Sequence, residues 1–372
     1  MDPVAHTFAG ATLAVAGLRR ASPLATAVLL IGANAPDVDA LAYFAAPFAS
    51  LAFRRGMTHG VLALVLWPFV IVGLALAWDR LVRRRVRRDL EPARAGPLLG
   101  IAALAVLTHP TLDWLNNYGL RWLMPFDGTW FYGDAVFIVD PWLWLCLGSA
   151  PFLAYSGSRE SRLAWSAFWA LASVLVLAIP MVPLAARAAW LVFLAGVVVA
   201  RMLAGRRAAP SAARAERSAR WMFGAAATYV IALVLADFAE HSALRRELAG
   251  RALGPVERLM VAPVPANPFA GEVVIATPSA YYLGNWHWLG EQQLALAPAP
   301  IRRNETDPRY TAASATAEAR RFLSWARFPY AVIEDKGGGT SVTFLDARYR
   351  NTGQLSGPTV TLDPQMRPLG SE

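Results

Sequence analysis

Gly60-Val-Leu-Ala-Leu-Val-Leu-Trp-Pro-Phe-Val-Ile-Val-Gly-Leu-Ala-Leu-Ala-Trp78 runs directly into Asp79-Arg-Leu-Val-Arg-Arg-Arg-Val-Arg-Arg88, and the contrast points to a membrane protein. The first stretch is uncharged and close to the roughly 20 residues that a helix needs to cross a hydrocarbon core. The second is a dense arginine block of the kind retained on the cytoplasmic side. The rest of the chain agrees: 56% of its 372 residues are hydrophobic and 16% charged, with a mean hydropathy of +0.37. That is too apolar for an ordinary soluble enzyme of this length. A formal charge of +9 would suit nucleic acid, but the arginines stand in short clusters between apolar runs. The partner implied is the lipid bilayer, and no nucleic acid. Cys146 is the only cysteine, so no intrachain disulfide is possible and the redox compartment stays open. Met1-Asp-Pro-Val-Ala-His6 lacks the basic n-region of a secretory signal and is expected to be retained.

Outward from this stretch, the segments Val4 to Leu18 and Leu24 to Ala33 precede it, short for a crossing and suited to a tight or tilted hairpin. Pro97 to Leu107, about Val136 to Tyr155, Leu163 to Ile179, Leu184 to Ala200 and Trp221 to Ala236 follow. About eight crossing or dipping segments put Arg19-Arg20, the 79–95 loop, Arg159 with Arg162, and the 201–220 loop on one face, read as cytoplasmic. The opposite, extracytoplasmic face then gathers His6, Asp37, Asp39, His59, His109, Asp113, Asp134 and Asp140. The expected fold is mainly α: a polytopic helical membrane domain over 1–240, then a small α+β extracytoplasmic domain over 241–372. In the second part, alternation with period two marks strands at Val273 to Ala276, Ala280 to Leu283, Tyr330 to Ile333 and Thr340 to Leu345. Lys336-Gly-Gly-Gly339 suits a hairpin loop and Ala315 to Arg327 a helix. No catalytic constellation stands out there.

The chemistry gathers in the first part. In Leu107-Thr-His-Pro-Thr-Leu-Asp113, His109 and Asp113 are four apart and share a helix face, with Pro110 expected in the first helical turn. Asp2 and His6 repeat that spacing, with Asp2-Pro3 better read as a helix cap. Ala35-Pro-Asp-Val-Asp39 offers two carboxylates to a cation, or to the cap of the next segment. Arg54-Arg-Gly-Met-Thr-His59 supplies a nitrogen ligand and two arginines that either hold a phosphate or snorkel. Asp140 in Gly133-Asp-Ala-Val-Phe-Ile-Val-Asp-Pro141 is an acid at the start of an apolar segment, a functional candidate by cost alone. Asp134 is a candidate or a solvated loop residue. Asp237 with His241 is explained equally well by helix-end charges, and His287 by an aromatic strand. Three histidines and several aspartates on one side match the donors of zinc hydrolase sites.

The ordered set Asp2-Pro-Val-Ala-His-Thr7, Ala35-Pro-Asp-Val-Asp39, Arg55-Gly-Met-Thr-His-Gly60, Thr108-His-Pro-Thr-Leu-Asp113 and Tyr132-Gly-Asp-Ala-Val-Phe-Ile-Val-Asp-Pro-Trp142 resembles the YdjM-type family of bacterial inner-membrane proteins. The resemblance is close over about the first 145 residues, and the remainder is similar to longer members with extra helices and an extracytoplasmic tail. It implies a metal-dependent hydrolase in the inner membrane, with His6, Asp37, Asp39, His59, His109 and Asp113 at the metal and Asp134 and Asp140 as further candidates. One departure is that Arg54 stands where the family pattern often has a histidine.

Two functions follow as expectations. In the first, a divalent metal, Zn2+ before Mn2+ or Mg2+, activates water against an ester or phosphoester of a lipid or lipid-linked substrate. Asp39 or Asp113 would serve as base and Arg54 or Arg55 as phosphate binder or charge neutraliser. In the second, the protein binds or transports a metal without catalysis. Segments from Leu163 to Ala200 carry almost no polar residue except Arg187, which favours the hydrolase.

Overall fold

The computed structural model describes residues 1–206, 212–290, 292–350 and 356–371. Asp2 opens the first helix, α1 (Pro3–Val15), by accepting the Val4 and Ala5 N–H groups at 3.0 and 3.1 Å. After a 3-10 turn come α2 (Ala25–Gly32), a 3-10 stretch Ala35–Phe44, and α3 (Ala49–Phe53). The Gly60 run becomes α4 (Val61–Trp78), continuing through a π-helical turn into α5 (Arg84–Val86). Then follow α6 (Ala95–Trp114), α7 (Pro141–Tyr155), α8 (Arg159–Ala178), α9 (Leu184–Arg206) and α10 (Ala212–Leu248). Among the described residues, five helices are long and apolar enough to cross a membrane: Val61–Val86, Ala95–Trp114, Arg159–Ala178, Leu184–Leu203 and Ala213–Leu248. The number becomes six if α2 and Ala35–Phe44 act as one broken span.

Several local readings need correction. Pro110 lies well inside α6, one turn from its end, and not in a first turn. Proline removes one backbone donor, and the helix continues because the rest of its ladder and its packing hold it. Most of the expected 201–220 loop is helix, since α9 runs to Arg206 and α10 starts at Ala212; residues 207–211 lie outside the described residues. The helix expected over Ala315 to Arg327 is present as the shorter α12 (Ala317–Leu323), preceded by a separate helix, α11 (Pro308–Ser314). Asp307 and Thr316 cap their starts, accepting the Arg309 and Ala319 N–H groups, and such caps override a single continuous period.

The chain divides into two compact units. One comprises Met1–Val38, Arg55–Asp237 and Ala262–Pro268; the other comprises Asp39–Arg54, Phe238–Val261 and Phe269–Glu372. In the first, helices approach closely through small residues. A Cβ on Gly10 would lie 2.7 Å from the Leu29 carbonyl, and one on Gly32 would lie 2.9 Å from the Ala105 side chain. Close backbone approach of this kind replaces the hydrophobic driving force that lipid removes. Leu13, Val28, Leu29, Ile71, Ile101 and Ala105 fill the seam between α1, α2, α4 and α6. Phe8, Trp144, Phe152, Trp169 and Trp190 fill a second one around α7.

The second unit holds most of one sheet, whose residues 262–268 belong to the first unit, and all of another. One contains β1 (Arg258–Val264), β2 (Asn267–Ala276), β3 (Ala280–His287) and β4 (Leu294–Leu296) in that order, with β5 (Ile301–Arg302) on β3. The other is β6 (Pro329–Lys336), β7 (Gly339–Asp346), β8 (Ser356–Leu362) and β9 (Pro368–Ser371), antiparallel throughout. Lys336 pairs with Gly339, so the hairpin loop is only Gly337-Gly338, with Gly338 at φ 107° where a side chain is strained. Within this unit Phe48 meets Phe322 edge to face at 6.2 Å, and Arg321 donates to the Pro47 carbonyl at 3.2 Å.

Replacing Gly32 by leucine is expected to lower the thermal unfolding midpoint in detergent by an overpacking cost of about 1–3 kcal/mol. Gly73→Leu, where no atom lies within 4 Å of an added Cβ, should leave the midpoint unchanged.

Candidate metal centre

Four residues from three chain segments of the first unit converge on one point. Asp37 comes from the 3-10 stretch after α2, His59 from the turn that precedes α4, and His109 with Asp113 from α6. One donor atom from each of these four lies within 4.8 Å of all the others. His59 Nε2 is 3.2 Å from both His109 Nε2 and Asp113 Oδ2. His109 Nε2 is 3.5 Å from Asp113 Oδ2. Asp37 Oδ1 stands 4.0 Å from His59 Nε2 and 3.8 Å from His109 Nε2. A four-coordinate ion with bonds of about 2.0–2.1 Å needs donors spaced by about 3.3–3.4 Å, and the observed spacings scatter around that value.

Neighbouring groups fix which atoms face inward. His109 Nδ1 lies 2.7 Å from the Ala33 carbonyl, which only accepts, so Nδ1 carries the proton and Nε2 presents a lone pair. His59 Nδ1 is 2.9 Å from Thr58 Oγ1, and Trp67 Nε1 donates to the Thr58 carbonyl at 3.0 Å. Partners of this sort orient metal-binding imidazoles. His6, from α1, is fully buried; its ring stacks on His109 at 3.7 Å and its Nε2 is 3.3 Å from Asp113 Oδ1. Neither His6 ring nitrogen nor Asp113 Oδ2 has a hydrogen-bond partner. Buried polar atoms in that state are costly, and a cation at the centre would satisfy the oxygen.

Asp113 is held from its other side. Arg55 Nη2 donates to Asp113 Oδ1 at 2.9 Å, and Arg55 Nη1 donates to Asn116 Oδ1 at 2.9 Å. The guanidinium lies 4.6 Å from the Tyr118 ring, and the Met1 amino group also contacts Asp113 Oδ1. Arg55 adopts φ 52°, the left-handed region, with its carbonyl accepting the Arg121 N–H at 2.9 Å. The cluster thus sets two carboxylates against the Arg55 guanidinium and the Met1 amino group. Asp37, with 18% of its side chain exposed against at most 1% for the other three, is its edge toward solvent.

The remaining candidates lie elsewhere. Asp39 is in the second unit, where Arg54 Nε reaches it at 3.4 Å and Arg54 Nη1 bonds Tyr43 at 3.0 Å. The position at which the family pattern often has a histidine thus serves Asp39. Asp140 caps α7, accepting the Leu143 N–H at 2.9 Å and the Tyr229 hydroxyl at 3.0 Å, and burial pushes its carboxyl up to about 6. Asp2 is the cap of α1 and also accepts Trp144 Nε1 at 3.0 Å, its carboxyl raised by burial. Asp134 is buried at φ 48°, next to the Gly133 that packs on the end of α6. Reading the sequence missed Ala33, Thr58 and Asn116. Asn116 alone left a signal, one turn after Asp113 on the chain.

A polytopic helical protein with a buried pair of histidines and pair of aspartates able to hold a divalent ion is therefore what the chain encodes. A family model described as YdjM inner membrane protein matches residues 1–188, and the chain belongs to that family. No protein of curated function matches it, and no solved structure does.

Arg55→Ala would leave the Asp113 carboxylate buried without its cation, and breaking a buried pair costs about 3–5 kcal/mol. Thermal unfolding in detergent should show that loss. Arg55→Lys, which restores the charge without the two-pronged geometry, should recover only part of it.

Proposed function

We propose that this protein is a membrane-embedded metal-dependent hydrolase acting on an ester or phosphoester of a lipid or lipid-linked substrate. The observation that carries the reading is the inward convergence of His59 Nε2, His109 Nε2, Asp113 Oδ2 and Asp37 Oδ1, with His6 beside them. These residues would hold the ion, Zn2+ by the mixed nitrogen and oxygen donors, with Mn2+ or Mg2+ as the other choices. When bound, the ion supplies Lewis acidity toward a water and toward the substrate oxygen. Arg55 keeps Asp113 aimed by occupying its second oxygen. Asp37 borders the exposed edge, and His6 backs the centre, stacked on His109 and against Asp113 Oδ1. Asp39 is held by Arg54 within the second unit, while Asp134 and Asp140 act through the structure around the centre. The scarcity of polar groups along α8 and α9 supports a centre confined to one end of the membrane domain over an ion path through it.

In this reading the centre and the 241–372 domain are extracytoplasmic, opposite the arginine-rich loops. Alkaline phosphatase fused after residue 372 should then be active, and the same enzyme fused after Arg88 inactive; the reverse pattern overturns the orientation.

Elemental analysis of detergent-purified protein tests the metal. Wild type should hold near-stoichiometric zinc or manganese, and folded His59→Ala and His109→Ala variants should lose it together with hydrolysis of lipid phosphoesters. Wild type that stays metal-free after reconstitution sinks the hydrolase reading. Stoichiometric metal without hydrolysis of any lipid ester turns it toward metal binding or transport.

A further inference from the structure

We propose that helices α1 and α10 hold a resident anionic phospholipid, its acyl chain in an apolar cleft behind α6 and its headgroup at an arginine-lined mouth. The inference does not rest on the metal reading. The cleft, about 270 Å³, lies among Ala9, Leu104, Leu115, Leu147, Ala227 and Val230. Two threonines also border it, but their hydroxyls are turned onto the helix backbone: Thr108 donates to the Ala105 carbonyl at 2.7 Å and Thr111 to the Leu107 carbonyl at 2.8 Å. The space therefore offers water no bonds, and an apolar occupant suits it.

This cleft is not a substrate chamber for the metal centre. Leu104, Thr108, Thr111 and Leu115 form one stripe of α6, whereas His109 and Asp113 project from nearly the opposite face of that helix. A chain lying there is screened from the histidines by α6 itself.

Phe223 borders both this cleft and a second cavity of about 610 Å³, which is lined by Leu13 and Ala16 of α1 and by Arg20, Glu216 and Arg220. On α10, Glu216, Arg220, Phe223, Ala227 and Val230 follow at alternating spacings of four and three, one continuous stripe. From Glu216 to Val230 it spans about 21 Å at the helical rise. One leaflet of the hydrocarbon core is about 15 Å deep, so the stripe is long enough to accompany an acyl chain and its headgroup. At the mouth Arg20 pairs with Glu216, and Arg220 Nε donates to the Ala16 carbonyl at 3.0 Å. Two guanidiniums against one carboxylate leave a net positive charge, which matches an anionic headgroup and no neutral one. The mouth lies at the end of α1 away from His6, among the arginine-rich segments.

The test is native mass spectrometry of the full-length chain in neutral detergent, titrated with dioleoylphosphatidylglycerol or dioleoylphosphatidylcholine. Wild type should bind phosphatidylglycerol at least about tenfold more tightly, with each arginine contributing about fivefold. Arg20→Gln with Arg220→Gln should erase the preference. If that variant does not fold, Arg220→Gln alone, at an exposed position, should reduce it about fivefold. Ala227→Phe, which fills the cleft from an exposed position, should weaken both lipids alike. Equal affinity of wild type for the two lipids, a preference undiminished by loss of Arg220, unchanged binding in Ala227→Phe, or saturation by glycerol 3-phosphate alone would each overturn the proposal.

Discussion

The carboxylate of Asp113, buried in an apolar helix, is the constraint on which the rest of the membrane unit depends. A lone ion at that depth is not tolerated, so every element around it contributes something it can bond. Arg55 arrives through a strained left-handed backbone and engages one oxygen. His59 and His109 face the other. Asn116 and Tyr118 hold the arginine in turn. Once the guanidinium has neutralised one side, the other side remains a polar pocket with convergent lone pairs, which is the electrostatic description of a cation site.

That pocket needs backbones closer than ordinary side chains allow. Gly10 lets α1 reach α2, and Gly32 lets α2 reach α6. The second contact brings the Ala33 carbonyl onto His109 Nδ1, and so fixes which ring nitrogen faces the cluster. Helix packing and imidazole tautomer are thus one constraint. A larger residue at Gly32 would act on the chemistry through the distance between two helices.

The two ends of α1 serve different ends of the molecule. His6, near its start, lies against Asp113 and His109, while Ala16, past its last turn, accepts a bond from Arg220. The stretch between carries no ionisable side chain, is packed by Ala9 and Leu13, and has its buried Thr12 hydroxyl bonded to the Leu147 carbonyl, which is the distribution a bilayer imposes on a helix that spans or dips into it.

Much of this was legible in residue order. The apolar runs, the arginine blocks and the i, i+4 pair His109 and Asp113 follow from composition and helical period, because both are local properties. The helical membrane part followed by a sheet-bearing part was readable for the same reason, and Asp2 could be read as a cap from Asp2-Pro3 alone. Residue order did not show that Pro110 lies inside a helix, that Asp39 pairs with Arg54, or that Asp140 is engaged by Tyr229. Nor did it show that Arg55 is committed to Asp113. Each of these depends on partners between 15 and 89 residues away, or on a ladder that packing sustains despite a missing donor. Chemical type and period are written along the chain, whereas the choice of partner for a buried polar group is made by which helices come close enough in space to satisfy it.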